Sequence, residues 1–181
     1  MDFYFERSGD FTELMQEAGV VSFNDACRFV STIPYQRISN KDDLSLVYHE
    51  RRGTCSSKHA FLKVLAEEQG MDDLQLVLIF YKMSENTHSV LKGLFDLIDL
   101  DYIPEAHICL KKGEEYLDFT TRFKWDVSEF VMEEHIIDIE TLLKSKKTMH
   151  KNFISNWNKS KYSLEEIWSW REQCIKLLSK Q

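Results

Sequence analysis

Glu105-Ala-His107-Ile-Cys109-Leu-Lys-Lys-Gly113-Glu-Glu-Tyr116-Leu-Asp118-Phe-Thr120 carries the alternation of a β-hairpin. With Lys112-Gly113 as the turn, Lys111 opposes Glu114, Cys109 opposes Tyr116, and His107 opposes Asp118; a four-residue loop over 111–114 keeps the same pairs. Directly opposed residues on antiparallel strands share a face, with Cβ atoms about 4.5–5.5 Å apart. In this register His107 and Asp118 meet on one face, while Ile108, Leu110, Leu117 and Phe119 turn to the other, towards a core. A slip of one residue would part the pair. A carboxylate so placed holds the imidazole tautomer and stabilises imidazolium.

Outward from the hairpin, the chain reads as α+β. Residues 74–83 (LQLVLIFYKM) are nearly all apolar, the pattern of a strand buried on both faces. Good helix formers fill 56–69, and Gly70 stops them. Residues 11–18 and 23–33 read as shorter helices, the second ended by Pro34. Residues 35–54 are polar and mostly loop, with room for a short helix; 85–101 is an excursion holding another. The last third is helical: 139–157 reads as one long helix, and Ser163-Leu-Glu-Glu166 is a capping box opening a second. This order implies one domain over 1–181, with a core over about 30–125 and a C-terminal helical region over about 139–181. Trp157, Trp168 and Trp170 read as packing between the C-terminal helices. Arg171 falls in the apolar stripe of the last one and calls for an ion pair with the acidic body.

Arg52-Gly53-Thr54-Cys55-Ser56-Ser57-Lys58-His59 sets Cys55 at a helix start. There the unpaired N–H groups and the helix dipole favour a thiolate. The plainer alternative is a buried structural thiol. A nucleophilic cysteine needs a base and a group to orient that base, and His107 with Asp118 supplies both. His59, four residues along the same helical face, is an alternative base or a substrate contact. It is poorly placed to be oriented by a carboxylate on a distant strand. Arg51 and Arg52 read either as a solvated pair or as cations that lower the thiol pKa or receive a substrate carboxylate. Glu105 shares the face of His107 and borders any cleft there. A zinc site of Cys55, His59, His107 and Cys109 lacks the closely spaced ligand pairs of structural zinc, so neither metal nor cofactor is expected.

Together, the Gly-Thr-Cys55 helix start, the strand His107 and the Leu-Asp118-Phe-Thr120 segment resemble the core of the transglutaminase-like superfamily. Members of that superfamily show a Gly-x-Cys helix, a strand His and an Asp in a D-x-T segment. The stretches Arg-Gly-Thr-Cys-Ser-Ser-Lys-His and Ile-Pro-Glu-Ala-His resemble a group of small bacterial proteins within it. The order is also similar to papain-like peptidases, peptide N-glycanases and arylamine N-acetyltransferases. The resemblance covers about residues 30–125 and implies a circularly related papain-like α+β core, with an antiparallel sheet packed against the cysteine helix. It further implies a Cys55–His107–Asp118 triad, and thiol-dependent acyl transfer or hydrolysis (amidase, peptidase or transglutaminase-like) on a peptide or amide substrate. The Cys55 backbone N–H is the expected oxyanion donor, with Gln36 as a side-chain donor, although its spacing of 19 residues from Cys55 departs from the papain arrangement. Ile108 stands where the family often has an aromatic residue, and the chain is too short for the C-terminal domain of an arylamine N-acetyltransferase. From a different class, the alternative is a non-catalytic interaction module that retains the fold.

Charge and composition narrow the remaining classes. The net charge of −7 over 181 residues argues against general nucleic-acid binding. It divides into +5 for residues 140–181 and −12 for residues 1–139, so a basic helical region is expected to dock on an acidic body. No run reaches the roughly 18 apolar residues of a membrane span, and the first residues lack a signal-peptide stretch. Four scattered cysteines, Cys27, Cys55, Cys109 and Cys174, suit a reducing cytoplasm better than a disulfide framework.

Overall fold

In the computed structural model, which describes residues 3–122, 126–157 and 162–179, the apolar run Leu74–Met83 is strand β1 and lies inside the sheet. Strands β2 (Ile103–Lys112), β3 (Glu115–Leu117) and β4 (Val131–Ile136) join it in one antiparallel sheet of order β3-β2-β1-β4. Helices α1 (Asp10–Glu17), α2 (Phe23–Thr32), α3 (Leu46–His49) and α4 (Cys55–Glu68) precede the sheet. The short α5 (Lys92–Phe95) lies in the excursion after β1, and α6 (Ile139–Trp157) and α7 (Leu164–Leu178) follow β4. The fold is therefore α+β, with seven helices and four strands among the described residues. Lys159, Lys161 and Lys180 of the basic C-terminal region lie outside them.

Alternation along β1 and β2 divides the core in two. Leu74, Leu76, Leu78 and Phe80, with Ala106, Ile108 and Leu110, cluster with buried residues of α1, α2 and α4. Val77, Ile79, Tyr81 and Met83, with Ile103 and Cys109, cluster with Ile154 of α6 and with Ile167 and Cys174 of α7. Both faces of the sheet are thus covered, which is why β1 reads as an unbroken apolar run. Leu117 and Phe119 join the first cluster, on the side the hairpin pattern assigns to them. Trp157, Trp168 and Trp170 all pack against the second. Arg171 makes the expected ion pair: its guanidinium grips the Glu105 carboxylate of β2 at 2.5 and 2.6 Å, which ties α7 to the sheet. No helix among the described residues is long and apolar enough to cross a membrane.

The hairpin register differs from the expected one by two residues. Lys112 opposes Glu115, Lys111 opposes Tyr116 and Leu110 opposes Leu117, so the turn residues are Gly113-Glu114. Gly113 sits in the left-handed region at φ 57°, whereas Glu114 does not. This is the pattern of a II′ turn, with glycine in its first central position. Centring the turn on Lys112-Gly113 would instead make a lysine carry the positive φ of that first position, at a steric cost. Because the slip is even, every side chain keeps its face. His107 and Asp118 remain on one side, displaced along the strands rather than directly opposed. Gly113→Ala is expected to cost about 1–2 kcal/mol through the backbone alone, since nothing lies within 4 Å of an added Cβ; a lowered urea midpoint checks it.

Strand β4 has no clear signature in the sequence. Its six residues include Glu133, Glu134 and His135, and it runs along a sheet edge where Ile136 is left 63% exposed. Charges on an edge strand blunt its tendency to pair with other chains, and they also erase the alternation that announces a strand.

Candidate active site

Helix α4 begins at Cys55 because Thr54 is extended and its N–H donates to Ser57 Oγ at 2.9 Å. Gly53 is required just upstream: a Cβ there would lie 2.8 Å from Lys58 Cγ and 3.1 Å from Ser57 Oγ. The close passage lets the chain zip in parallel with the segment after α2. Gly53 N–H donates to the Pro34 carbonyl at 3.1 Å, and Gln36 N–H donates to the Gly53 carbonyl at 3.2 Å. Between those two bonds stands Tyr35, whose phenol pKa is raised by burial first and then by the neighbouring Cys55 sulfur.

The rest of the sulfur's surroundings comes from β2. Strand β3 pairs only with Leu110–Lys112, so the earlier part of β2 has no strand on that side among the described residues, and α4 packs against it. The Ile108 N–H and the His107 ring both act on the Cys55 sulfur, and each favours its ionised form. His107 Nε2 holds Asp118 Oδ2 at 2.9 Å, which leaves Nδ1 as the ring atom for the sulfur. Asp118 Oδ1 accepts the Thr120 N–H at 2.8 Å, so the carboxylate is held from both oxygens. The three residues singled out in the sequence therefore converge, in the order Cys55–His107–Asp118.

The electrostatics follow from burial and charge. Burial pushes the Cys55 thiol up, but the Lys146 ammonium, the His107 imidazolium and the Ile108 N–H outweigh it and hold the thiol well below its ordinary value. For His107 burial acts downward, yet Asp118 and the Cys55 thiolate push the ring up to about 10. Burial also raises Asp118, and His107 more than offsets this, keeping the carboxyl far below the usual carboxylate range. All three shifts act in the direction of thiolate, imidazolium and carboxylate. Elsewhere burial dominates: with Asp118 and Cys55 adding to it, it pushes the Cys109 thiol up, and with Glu105 it pushes that of Cys174 up to about 12.

The other residues proposed from the sequence take different roles. His59 is fully buried; its Nε2 accepts the Phe119 N–H at 2.8 Å, so Nδ1 carries the proton and donates to the Cys55 carbonyl at 2.8 Å. Burial lowers its pKa. Both nitrogens hold backbone groups, Nε2 also lying 3.5 Å from Asp118 Oδ1, and the ring is fully buried, so His59 is neither a base, a substrate contact nor a metal ligand. Glu105 is buried in its ion pair with Arg171 instead of bordering a cleft. Arg52 turns to Glu50 at 2.8 Å, and the Arg51 guanidinium stacks over the rings of Phe29 and Tyr48. Gln36 is exposed, and Tyr35 is the side chain of its segment that reaches the sulfur.

Two cations were not foreseen. Lys146, on α6, puts Nζ 3.6 Å from Cys55 Sγ and 2.9 Å from Ser56 Oγ. Lys58 is fully buried and donates to the carbonyls of Ile33 at 2.6 Å and Thr120 at 2.7 Å, pinning the segments that carry Tyr35 and Asp118. Among the described residues no group of three or more His, Cys, Asp or Glu is placed to hold a metal. No known family model, curated protein or solved structure matches the chain.

Proposed function

We propose that this protein is a thiol-dependent acyl-transfer enzyme of the papain/transglutaminase-like type, acting on an amide or peptide-like substrate. The observation that carries the reading is the His107 imidazole, hydrogen-bonded through Nε2 to Asp118 while its charge helps to hold the Cys55 thiol well below its ordinary value. The superfamily assignment is supported by the chain order: cysteine at a helix start, histidine on a strand, and aspartate just past the next strand.

In this reading the Cys55 thiolate attacks the substrate carbonyl, a C–S bond forms, and the carbonyl π pair moves to oxygen. Collapse of that adduct expels the amine, which takes its proton from the His107 imidazolium. Water or a second amine then attacks the thioester, giving its proton back to His107 as the thiolate leaves. Asp118 keeps the ring aligned throughout. Tyr35, Ser56 and Lys146 are the partly exposed side chains around the sulfur, so substrate approaches from their side.

The test uses p-nitrophenyl acetate. A burst of nitrophenolate near one equivalent per chain is expected, with a single acetyl group on Cys55 found by mass spectrometry, and neither in Cys55→Ala. Absence of acetylation in the wild type, or acetylation of another residue, would reject the assignment.

A further inference from the structure

Lys146 is contributed by a helix that follows the entire sheet in sequence, yet its Nζ stands 3.6 Å from the Cys55 sulfur. A bond of 2.9 Å to Ser56 Oγ, on the first turn of α4, holds it there. The side chain is half-buried, and among the described residues no carboxylate lies within ion-pair distance of it. The exposed Lys144 of the same helix behaves otherwise, pairing with Glu140 one turn away at 2.6 Å. The ammonium at residue 146 is therefore held beside the sulfur, without a counter-ion of its own other than the thiolate.

We propose that Lys146 is a catalytic residue, the cation that receives the oxyanion when an acyl group is transferred to Cys55. This inference rests on the acyl-transfer reading above and deepens it. When sulfur attacks a carbonyl, negative charge leaves a large, diffuse sulfur and arrives on a compact oxygen one bond beyond the carbon attached to it. A cation 3.6 Å from sulfur is within hydrogen-bonding reach of that oxygen. An ammonium–oxyanion bond is shorter and stronger than the same ammonium against sulfur. The interaction thus strengthens as the reaction proceeds, which is the condition for it to lower the barrier. The Cys55 N–H, at the first position of α4, has no intrahelical acceptor and supplies the companion donor. A substrate carboxylate is a poorer match for this lysine, since a charge beyond the scissile group would lie farther from an Nζ so close to the sulfur.

Two reactions of one cysteine separate this role from a mere effect on ionisation. Iodoacetamide is attacked at its methylene carbon, iodide leaves, and no oxyanion forms. p-Nitrophenyl acetate is attacked at a carbonyl, and an oxyanion must form. Both rates are measured at pH 9 in the wild type, Lys146→Met, Lys146→Arg and the exposed-site control Lys147→Met. Acylation of Lys146→Met is expected to fall about 10²–10³-fold while alkylation changes little, Lys146→Arg should recover much of the loss, and Lys147→Met should match the wild type. Proportional losses in both reactions, an unchanged acylation rate, or an equal loss in Lys147→Met would each overturn the proposal. A wild type that alkylates at Cys55 but is never acylated there fails on the acyl-transfer reading itself, and that arm alone reports it.

Discussion

Iodoacetamide at pH 6 is expected to alkylate Cys55 at a rate within a few-fold of that at pH 8, and to leave Cys109 and Cys174 untouched in the folded protein. An ordinary thiol, with a pKa of about 8.5, loses roughly 100-fold over the same interval, because its thiolate fraction falls tenfold per pH unit. The difference originates in three groups around one sulfur: Lys146 at 3.6 Å, the His107 ring and the Ile108 N–H, which together outweigh the penalty of burial. Cys109 and Cys174 are buried too, but Lys111 and Arg171 do not offset the penalty, and both thiols are raised. Peptide mapping by mass spectrometry identifies the labelled residue, and Cys55→Ser should abolish the fast phase. A Cys55 rate that drops by the full 100-fold would mark an ordinary thiol and favour the non-catalytic interaction module.

The second large effect is expected at Asp118. Asp118→Asn retains the shape of the side chain but removes the charge that, after the opposing effect of burial, does most to raise His107 to about 10. The ring then loses its proton nearer the ordinary histidine value of about 6.5. At pH 8 no imidazolium remains to protonate the leaving amine, and amide turnover should fall about 10²–10⁴-fold. The wild-type profile should be broad, rising as the thiolate forms in acid and falling as His107 deprotonates near pH 10; the variant should lose its alkaline plateau. The sign for stability runs the same way. A histidine whose folded pKa is raised contributes fully below about pH 6.5, and the contribution disappears as pH climbs through about 10. Asp118, held low, contributes above about pH 4 and loses this only in strong acid. Urea midpoints at pH 6 and pH 10 should therefore converge in Asp118→Asn relative to the wild type. An unaltered alkaline limb would remove Asp118 from the mechanism.

The convergence of Cys55, His107 and Asp118 was legible because local rules of chain geometry suffice to bring them together. A period of two puts His107 and Asp118 on one face of a hairpin whatever even register is adopted, so the misplaced turn did no harm. A glycine before a run of helix formers marks Cys55 as a helix start. The ion pair of Arg171 was legible for a similar reason, since a guanidinium in an apolar stripe needs a partner. What escaped depends on how distant elements dock. Nothing local distinguishes Lys146 from Lys144 or Lys147; only the rotation of α6 against α4 selects one of them for the sulfur. Tyr35 is brought in by a two-bond parallel bridge to Gly53, a pairing too short to leave a periodic trace. Arg51 and Arg52 stood closer to the cysteine in sequence than any other cation, but aromatic rings and Glu50 take them elsewhere. Glu105 was correctly put on the face of His107, but the partner that buries it lies 66 residues away.

His59 joins the carbonyl of Cys55 to the amide next to Asp118 through one rigid ring, 2.8 Å at either end. Cys55 and Asp118 are consequently fastened to a common strut, and neither can wander without dragging the other. Loss of competence under mild denaturant should then resemble a latch releasing in one movement, not a gradual loosening of its parts.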